Sequence, residues 1–490
     1  VVVMPGVYTE PTSRAAPTND PSCDQYEVAN DEGQTGAVSY AYQVNCPNDQ
    51  NLIAVLGRAL GPGQDPSPPL MDRRGIPNLG PCIRCNFQIE GSGVGADDVV
   101  IDAGRVESGN QGPAESVKDV VIRADRADGF VLRNMTLRHA REHGIYVLES
   151  DGYLLDRFKA FYNSEYGVLA FVEDHGVIQN CEAAGSGDSG LYPGASAETG
   201  AQRASGTPFR YNQQVRFCDA HHNAAGFSGT DSNAVWVHHN NFYDNALGYT
   251  TDVFTAAGHP GFPQDSNLVE DNNFFSNNFN PYEPGSDVIP TQPFPVGTGL
   301  WIAGGNDNIV RNNRFWDNWR RGTMLFAVPD VLVCGPVIGT PVTGCNPLVF
   351  STSHRNRFHN NVMGQAPDGT IARNGLDFWW DSFPLNRGNC WYQNSGPAPI
   401  TTSPDPLPSC ANGKFPGLSV GTGNVPNELE LIGCFGAISG GGFDSTTCPW
   451  FTTPPQPASS QAAATLREQQ ANQPEQISAE ELAAVCRLYG

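Results

Sequence analysis

Lysine is nearly missing from this 490-residue chain, which carries only Lys118, Lys159 and Lys414. Its 28 basic residues face 51 acidic ones, a formal charge of -23. Such a field repels nucleic acid and anionic lipid, which excludes both as partners, and suits cations and neutral ligands. A second absence is any apolar run of about 18 residues, so nothing reads as a membrane-inserted helix. No signal peptide is present either, and the chain reads as a mature secreted protein, extracellular or periplasmic, whose targeting segment is gone. A third absence is helical periodicity through the middle of the chain.

What stands there instead is a repeat of 23 residues. Gly144, Gly167 and Gly190 each open a short run, "GIYVLES", "GVLAFVE" and "GLYPGAS". Ile145, Val168 and Leu191 move with them, as do Leu132, Leu155 and Ile178, and then Met135, Phe158 and Cys181. Three apolar rows in one register mean three strands per repeat with side chains in a shared interior. A short period with strand-type runs specifies a solenoid of β-strands, a parallel β-helix, and one such coil can absorb most of the chain.

Thirteen cysteines, several in close pairs, point to an oxidising compartment. Proximity suggests Cys23 with Cys46, Cys334 with Cys345, Cys390 with Cys410 and Cys434 with Cys448, although spacing does not determine connectivity. Cys82 and Cys85 have the CxxC spacing of redox and zinc sites, but they lead into a strand rather than a helix.

The opening "VVVMPGVYTE" reads as a strand and turn that would leave the first rung uncovered. A lost segment, the loop from Thr12 to Asp72, a partner or a second copy would have to cover it. Further rungs bear the pairs Asn240-Asn241, Asn272-Asn273, Asn312-Asn313 and Asn360-Asn361. Asn tolerates the left-handed conformation of a sharp corner, and its amide can bond the same group one rung away, so these read as scaffold. The boundaries that follow are an N-terminal strand and loop region at 1–82, the coil at 83–367, a Cys- and Pro-rich cap or set of lateral loops at 368–457, and a helical tail at 458–490. The tail has a capping box from Ser478 to Glu481, and Cys486 would tether it.

The "NN-x-F" corners followed by "G-I-x-V" strands resemble the right-handed parallel β-helix superfamily of pectate lyase-like proteins over residues 83 to 365. "GDSGLYPGAS" and "AAGHPGFPQD" also resemble secreted bacterial β-helix repeat proteins. The resemblance implies an all-β, right-handed solenoid with disulfide-rich loops, whose "GIYV" sheet carries the active site on its outer face. The "NTD", paired "DD", "GHG" and "RIK" series of the polygalacturonase-like hydrolases is missing, as is the "DPHD" of the alginate epimerases. With lysine almost absent, a lyase base would have to be Arg141, Arg320 or Arg321.

Three groups of residues stand out as sites. Glu142, Glu165 and Asp188 precede the strand-opening glycines at the same spacing of 23, so they should stack at about 4.8 Å. Ca²⁺, a hard ion taking six to eight oxygens, suits such a column, and a solvated acidic edge is the plainer reading. Asp231 and Asp252 end successive strands, with His259 and Asp265 on the insertion beside them. Together with Asp188 these make Asp188, Asp231, Asp252 and His259 the catalytic candidates, against a turn-capping role for the aspartates. Tyr146, Tyr192 and Trp301 are the candidate sugar platforms. The histidines, His221-His222 among them, admit a metal-handling reading, whereas His238 and His239 face opposite sides of a regular strand.

The chain is therefore expected to be a carbohydrate-active β-helix protein acting as lyase or hydrolase on an extracellular polysaccharide, or else a non-catalytic binding or structural β-helix. An open cleft walled by loops 195–210, 255–265 and 281–298 would favour the first, and a filled one the second.

Overall fold

The computed structural model describes residues 1–10, 40–45, 51–60, 79–104, 118–196, 211–254, 261, 264–329, 353–384, 386–410, 419–439 and 442–458. Their strands form a parallel coil built of two sheets. A front sheet has eleven strands, one per rung, from Asn51–Leu56 through His143–Leu148, Tyr166–Phe171 and Ser189–Gly194 to Thr402–Ser403. A back sheet of seventeen strands forms the other wall. Coil strands run from Val2–Val3, which pairs with Gln88–Gly91, to that last front strand, so they extend beyond 83–367 on both sides.

The expected rows are in register. Ile145 pairs with Val168 and Val168 with Leu191, Leu132 with Leu155 and Leu155 with Ile178, and all of them are buried in one core. The glycines at intervals of 23 mark a close approach between rungs. A Cβ on Gly167 would lie 2.5 Å from the carbonyl oxygen of Gly190.

The back-sheet strands bend once per rung at a residue with positive φ: Asn134, Arg157, Asn180, Phe217, His239, Asp271, Asn312 and Asn360. The residue after the bend points inward, and from Asn240 onward it is asparagine. Asn240, Asn272, Asn313, Asn361 and Asn394 form a ladder in which each Nδ2–H donates to the next Oδ1 at 2.9–3.1 Å. A second ladder climbs through Asn223, Asn245, Asn277, Asn318 and Asn374, and a third through Asn308, Asn356 and Asn389. The Asn pairs are thus scaffold, with one refinement. Only one member of each pair is in the ladder, and only Asn312 and Asn360 occupy the left-handed bend themselves.

The apolar row Met135, Phe158 and Cys181 continues at Cys218, which pairs with Cys181 in register and is joined to it by a disulfide with a Cα separation of 4.4 Å. Proximity along the sequence missed this bridge, since 37 residues separate its ends. Cys390–Cys410 and Cys434–Cys448 form as expected. Cys82 and Cys85 are bonded to each other on an antiparallel hairpin. Cys23, Cys46, Cys334, Cys345 and Cys486 lie outside the described residues, as does the helical tail from 459.

One segment covers part of the front sheet from outside. The helix Val425–Ser439 and the turn Pro449–Phe451 are pinned together by Cys434–Cys448. They lay Leu431, Trp450 and Phe451 on Trp301, Met324, Phe326 and Trp379. Arg321 Nη2 lies 2.6 Å from Glu430 Oε2, and Arg320 Nη2 donates to the carbonyls of Pro449 and Thr452 at 2.6 and 2.7 Å.

A ladder amide cannot be removed without leaving its buried neighbours unsatisfied, which costs more than the bond contributes. Asn272→Ala should therefore lower stability by about 2–4 kcal/mol, whereas Asn241→Ala, on the outer column, should cost less than about 1 kcal/mol. Thermal or urea denaturation of the two variants checks the contrast.

Candidate functional site

The outer face of the front sheet begins as a set of rows. The position before each glycine faces outward, giving His143, Tyr166 and Ser189 on successive rungs. Two positions after the glycine, Tyr146, Leu169 and Tyr192 form a second outward row at intervals of 23, which Arg123 extends by one rung where Val121 stands in the place of the glycine. Leu148, Leu169, Phe171 and Tyr192 form an apolar cluster of their own with Tyr146 and Tyr166, separate from the interior core.

The acidic column is real in the backbone and one member longer than expected. Glu142 N–H donates to Asp119 O, Glu165 to Glu142 O and Asp188 to Glu165 O, at 2.9, 3.0 and 3.0 Å. Its side chains, however, go separate ways. Asp119 Oδ1 is ion-paired with Arg141 Nε at 2.8 Å, Glu142 lies 3.4 Å from the same arginine, and Glu165 lies 3.6 Å from His143 Nδ1. Asp188 Oδ2 accepts the Tyr166 hydroxyl at 3.1 Å. Among the described residues no group of three or more His, Cys, Asp or Glu side chains is arranged to hold a metal ion. The expected calcium bridge over Glu142, Glu165 and Asp188 thus has no assembled ligand set, because rotamers disperse what the rungs align.

Burial is graded along the column. The Glu142 and Glu165 side chains are 41% and 33% exposed, while Asp188 is 3% exposed. The segment between Ser276 and Gly297 folds back over it, and Thr291 N–H donates to Gly187 O at 2.8 Å. Burial raises the Asp188 pKa well above the usual carboxylate range. The charges of Glu165 and Asp252 push the same way, against the hydroxyls of Tyr166 and Ser189. The plainer reading, a solvated acidic edge, describes Glu142 but not Asp188.

Asp231 and Asp252 are brought together on adjacent rungs, as expected, with Asp231 N–H on Asp252 O at 2.9 Å. They sit at the far ends of the strands that Asp188 precedes. Asp231 takes a left-handed bend and is fully buried, and Asp252 Oδ1 accepts Phe254 N–H at 3.2 Å, a turn-capping contact. His259 lies outside the described residues.

The ring platforms are occupied by the protein itself. Tyr192 stacks on Tyr166 at 4.7 Å, and the Arg123 guanidinium lies 4.9 Å above Tyr146. Trp301 is enclosed by Phe294, Phe326 and Trp450 at 5.4–5.9 Å. One face of Tyr192 is therefore covered by Tyr166 and one face of Tyr146 by Arg123.

His238 and His239 depart from the alternation argued from a regular strand. The left-handed bend at His239 turns its ring back, so that the two Nδ1 atoms lie 2.8 Å apart. The same interval of 23 also marks Asp119, Arg123 and Tyr166, which the sequence leaves without an evident role. A second acidic row at that interval, Asp128, Asp151 and Asp174, went unread; there a carboxylate accepts the backbone N–H of the next rung at 3.3 and 3.2 Å.

Residues 116–279 match the family model described as the right handed beta helix region, and the described coil is a right-handed parallel β-helix. No curated protein sequence matches the chain. Among solved structures, the A-module of the mannuronan C-5 epimerase AlgE6 of Azotobacter vinelandii is similar at 16% identity and TM-score 0.41, over 66% of this chain and 84% of that one. The periplasmic alginate epimerase AlgG aligns at 12% identity and TM-score 0.40, over 64% and 69%. DFA-IIIase from Arthrobacter chlorophenolicus A6 aligns at 14% and 0.36, over 66% and 73%. At these scores the likeness bears on no residue of the site.

The raised Asp188 pKa has a sign that can be tested. Between the ordinary carboxylate pKa and the raised folded value, the folded state holds a proton that the unfolded chain has lost. Stability therefore falls as pH rises through that window. Asp188→Asn removes this dependence and should melt about 2–4 °C above the native protein at pH 8, with the difference vanishing near pH 4. Calorimetry at the two pH values checks it.

Proposed function

We propose that the protein is a carbohydrate-active β-helix enzyme that hydrolyses glycosidic bonds of an extracellular polysaccharide on the outer face of the front sheet. Asp188 serves as general acid and Glu165 as its partner carboxylate. The observation behind this reading is one pair of carboxyls on consecutive rungs in opposite environments, Asp188 buried beneath the returning segment and Glu165 open to the groove.

Glycoside hydrolysis needs a protonated carboxyl beside an ionised one, about 5 to 5.5 Å apart when the configuration is retained. The two residues stand one rung, about 4.8 Å, apart along the backbone, and rotation of their side chains has to bring the carboxyls to that separation. With Oδ2 accepting the Tyr166 hydroxyl, Asp188 carries its proton on Oδ1, which is enclosed while the returning segment covers it, and passes it to the glycosidic oxygen, as the bond to the anomeric carbon breaks, once that segment moves aside to admit the substrate. Glu165 attacks that carbon, and water later releases the sugar with Asp188 now acting as base. His143, 3.6 Å from Glu165, orients the nucleophile. Asp231 and Asp252 remain groove-end carboxylates rather than the reacting pair.

A lyase is less well supported. Arg141 is paired with Asp119, Arg320 is bound to backbone carbonyls and Arg321 is paired with Glu430. Each arginine that elimination would need as a base is engaged elsewhere.

A non-catalytic binding or structural role is the second reading. In its favour, Tyr282, Phe294 and Val296 pack down with Trp450 and Phe451 and fill the groove over the later rungs. Both readings place the protein outside the cytoplasm, given four disulfides among the described residues.

Reducing-end release from a panel of neutral and uronic-acid polysaccharides tests the proposal. Asp188→Asn and Glu165→Gln should each lower kcat by about 10²–10⁴-fold on the substrate that is cleaved. Native activity should decline as pH rises through the elevated Asp188 pKa. Unchanged rates in both variants, or no cleavage of any substrate, would refute the assignment.

A further inference from the structure

One charged cluster outside the site remains unused by this reading. His222 occupies a left-handed bend at the corner that follows the back sheet. Its Nδ1 lies 3.3 Å from Asp244 Oδ2, one rung on. Its Nε2 lies 2.9 and 3.1 Å from the two carboxylate oxygens of Asp287, which belongs to the segment folded back over Asp188. The Tyr162 hydroxyl donates to the same Asp287 at 3.0 Å. Its ring reaches there by lying across Gly185, where a Cβ would come within 2.5 Å of it. The Phe279 ring packs on His222 at 4.2 Å.

We infer that His222 is a positioning residue for Asp188: by clamping Asp287 it holds the 278–296 segment closed over the candidate acid. The inference rests on the reading of Asp188 as that acid. The anchors of the segment are unevenly placed. Its outer parts are tied to the C-terminal cover, through Asn280 Nδ2 on Phe451 O at 3.2 Å and Val296 N–H on Trp450 O at 2.9 Å. The middle, which lies over Asp188, is tied by Asp287 and by Thr291 N–H on Gly187 O.

The chemistry of imidazole makes the clamp sensitive to pH. An imidazolium offers an N–H to each of two carboxylates, whereas a neutral ring has one N–H and turns a lone pair toward the other. The groups facing His222 are Asp244 from the next corner, Asp287 from the covering segment with Tyr162 behind it, and the Phe279 ring. Neighbouring His221 is turned away onto Glu182 at 3.2 Å and stacks on Tyr243. Burial alone would lower the His222 pKa, but the bonds to Asp244 and Asp287 raise it overall. For a raised histidine, the stabilisation is fully present below the unfolded pKa and is lost as pH rises through the folded value. The clamp is therefore closed in acid, where Asp188 must also hold its proton.

Hydrogen exchange on the full chain tests the clamp without any substrate. In the native protein the protection factor of the Thr291 amide should fall by about tenfold or more between about pH 5.5 and pH 8.5, while amides of the back-sheet rungs stay protected. His222→Gln, which cannot carry the charge, should show the low value at both pH values, and Asp287→Asn should match it. Where turnover is measurable, the alkaline limb of the His222→Gln rate profile should move to lower pH, because a less covered Asp188 loses its proton sooner. Protection that is flat with pH in the native protein, or the same pH transition in His222→Gln, overturns the clamp whatever the activity assays give. An intact clamp in a protein without hydrolase activity would instead count against the catalytic reading alone.

Discussion

Everything in this molecule follows from the backbone hydrogen bond that each rung makes to the next. Once those bonds fix the register, every side chain sits about 4.8 Å from its counterparts above and below, so each row must tolerate being stacked on itself. Apolar rows do so by packing, as Phe242, Phe274 and Phe315 do at 5.1 and 4.8 Å. An interior amide row does so because each amide is both donor and acceptor, and an Asn ladder satisfies itself. Two stacked cysteines are already at bridging distance. Met135, Phe158, Cys181–Cys218 and the five asparagines are successive solutions to that one constraint in a single column.

Stacked carboxylates repel, so an acidic row cannot satisfy itself side chain to side chain. The rung constraint therefore forces a choice at each level between a backbone N–H, as at Asp128 and Asp151, an external cation, hydration and protonation. Arg141 serves Asp119 and, at 3.4 Å, the largely solvated Glu142. Glu165 stays open to the groove beside His143. Asp188 is enclosed on a rung next to a carboxylate, and burial pushes its pKa well above the usual carboxylate range. The acid–base asymmetry that hydrolysis requires thus needs no special device beyond a column that passes from solvent to cover.

Rows of constant period were legible from the sequence because a pattern repeated every 23 residues is independent of long-range contacts. The interior rows and the acidic column belong to this class, whereas the stacking of Asn240 and its successors was legible from the recurring Asn pairs and not from a constant period. Legibility failed wherever the period changed. After Gly194 the ladder partners lie 32, 41 and 48 residues apart instead of 23, so Cys218 could not be aligned with Cys181 by counting. It also failed where the partner comes from far along the chain. Trp301 reads as an exposed platform from its own strand, yet it is enclosed by Trp450, a contact spanning about 150 residues that no local pattern encodes. His238 and His239 were misjudged for a local reason, because alternation holds only while φ stays negative, and at His239 it does not.

An acidic residue placed by chance on a solvated edge should be given up where the edge becomes buried, since an unpaired buried charge is costly and a neutral side chain is not. The column does change composition where cover arrives, because the register places Ala224 and Ala246 on the rungs after Asp188. It changes one rung too late. Asp188 is itself enclosed and still a carboxylic acid, held by Tyr166, when alanine one rung earlier would have removed the cost. The His222 clamp compounds the point, since it ties the covering segment to a histidine whose charge fails in the same direction of pH as the proton on Asp188. A scaffold gains nothing from burying a carboxyl and then making its cover titrate. A site that must keep one carboxyl protonated beside an ionised neighbour gains from both.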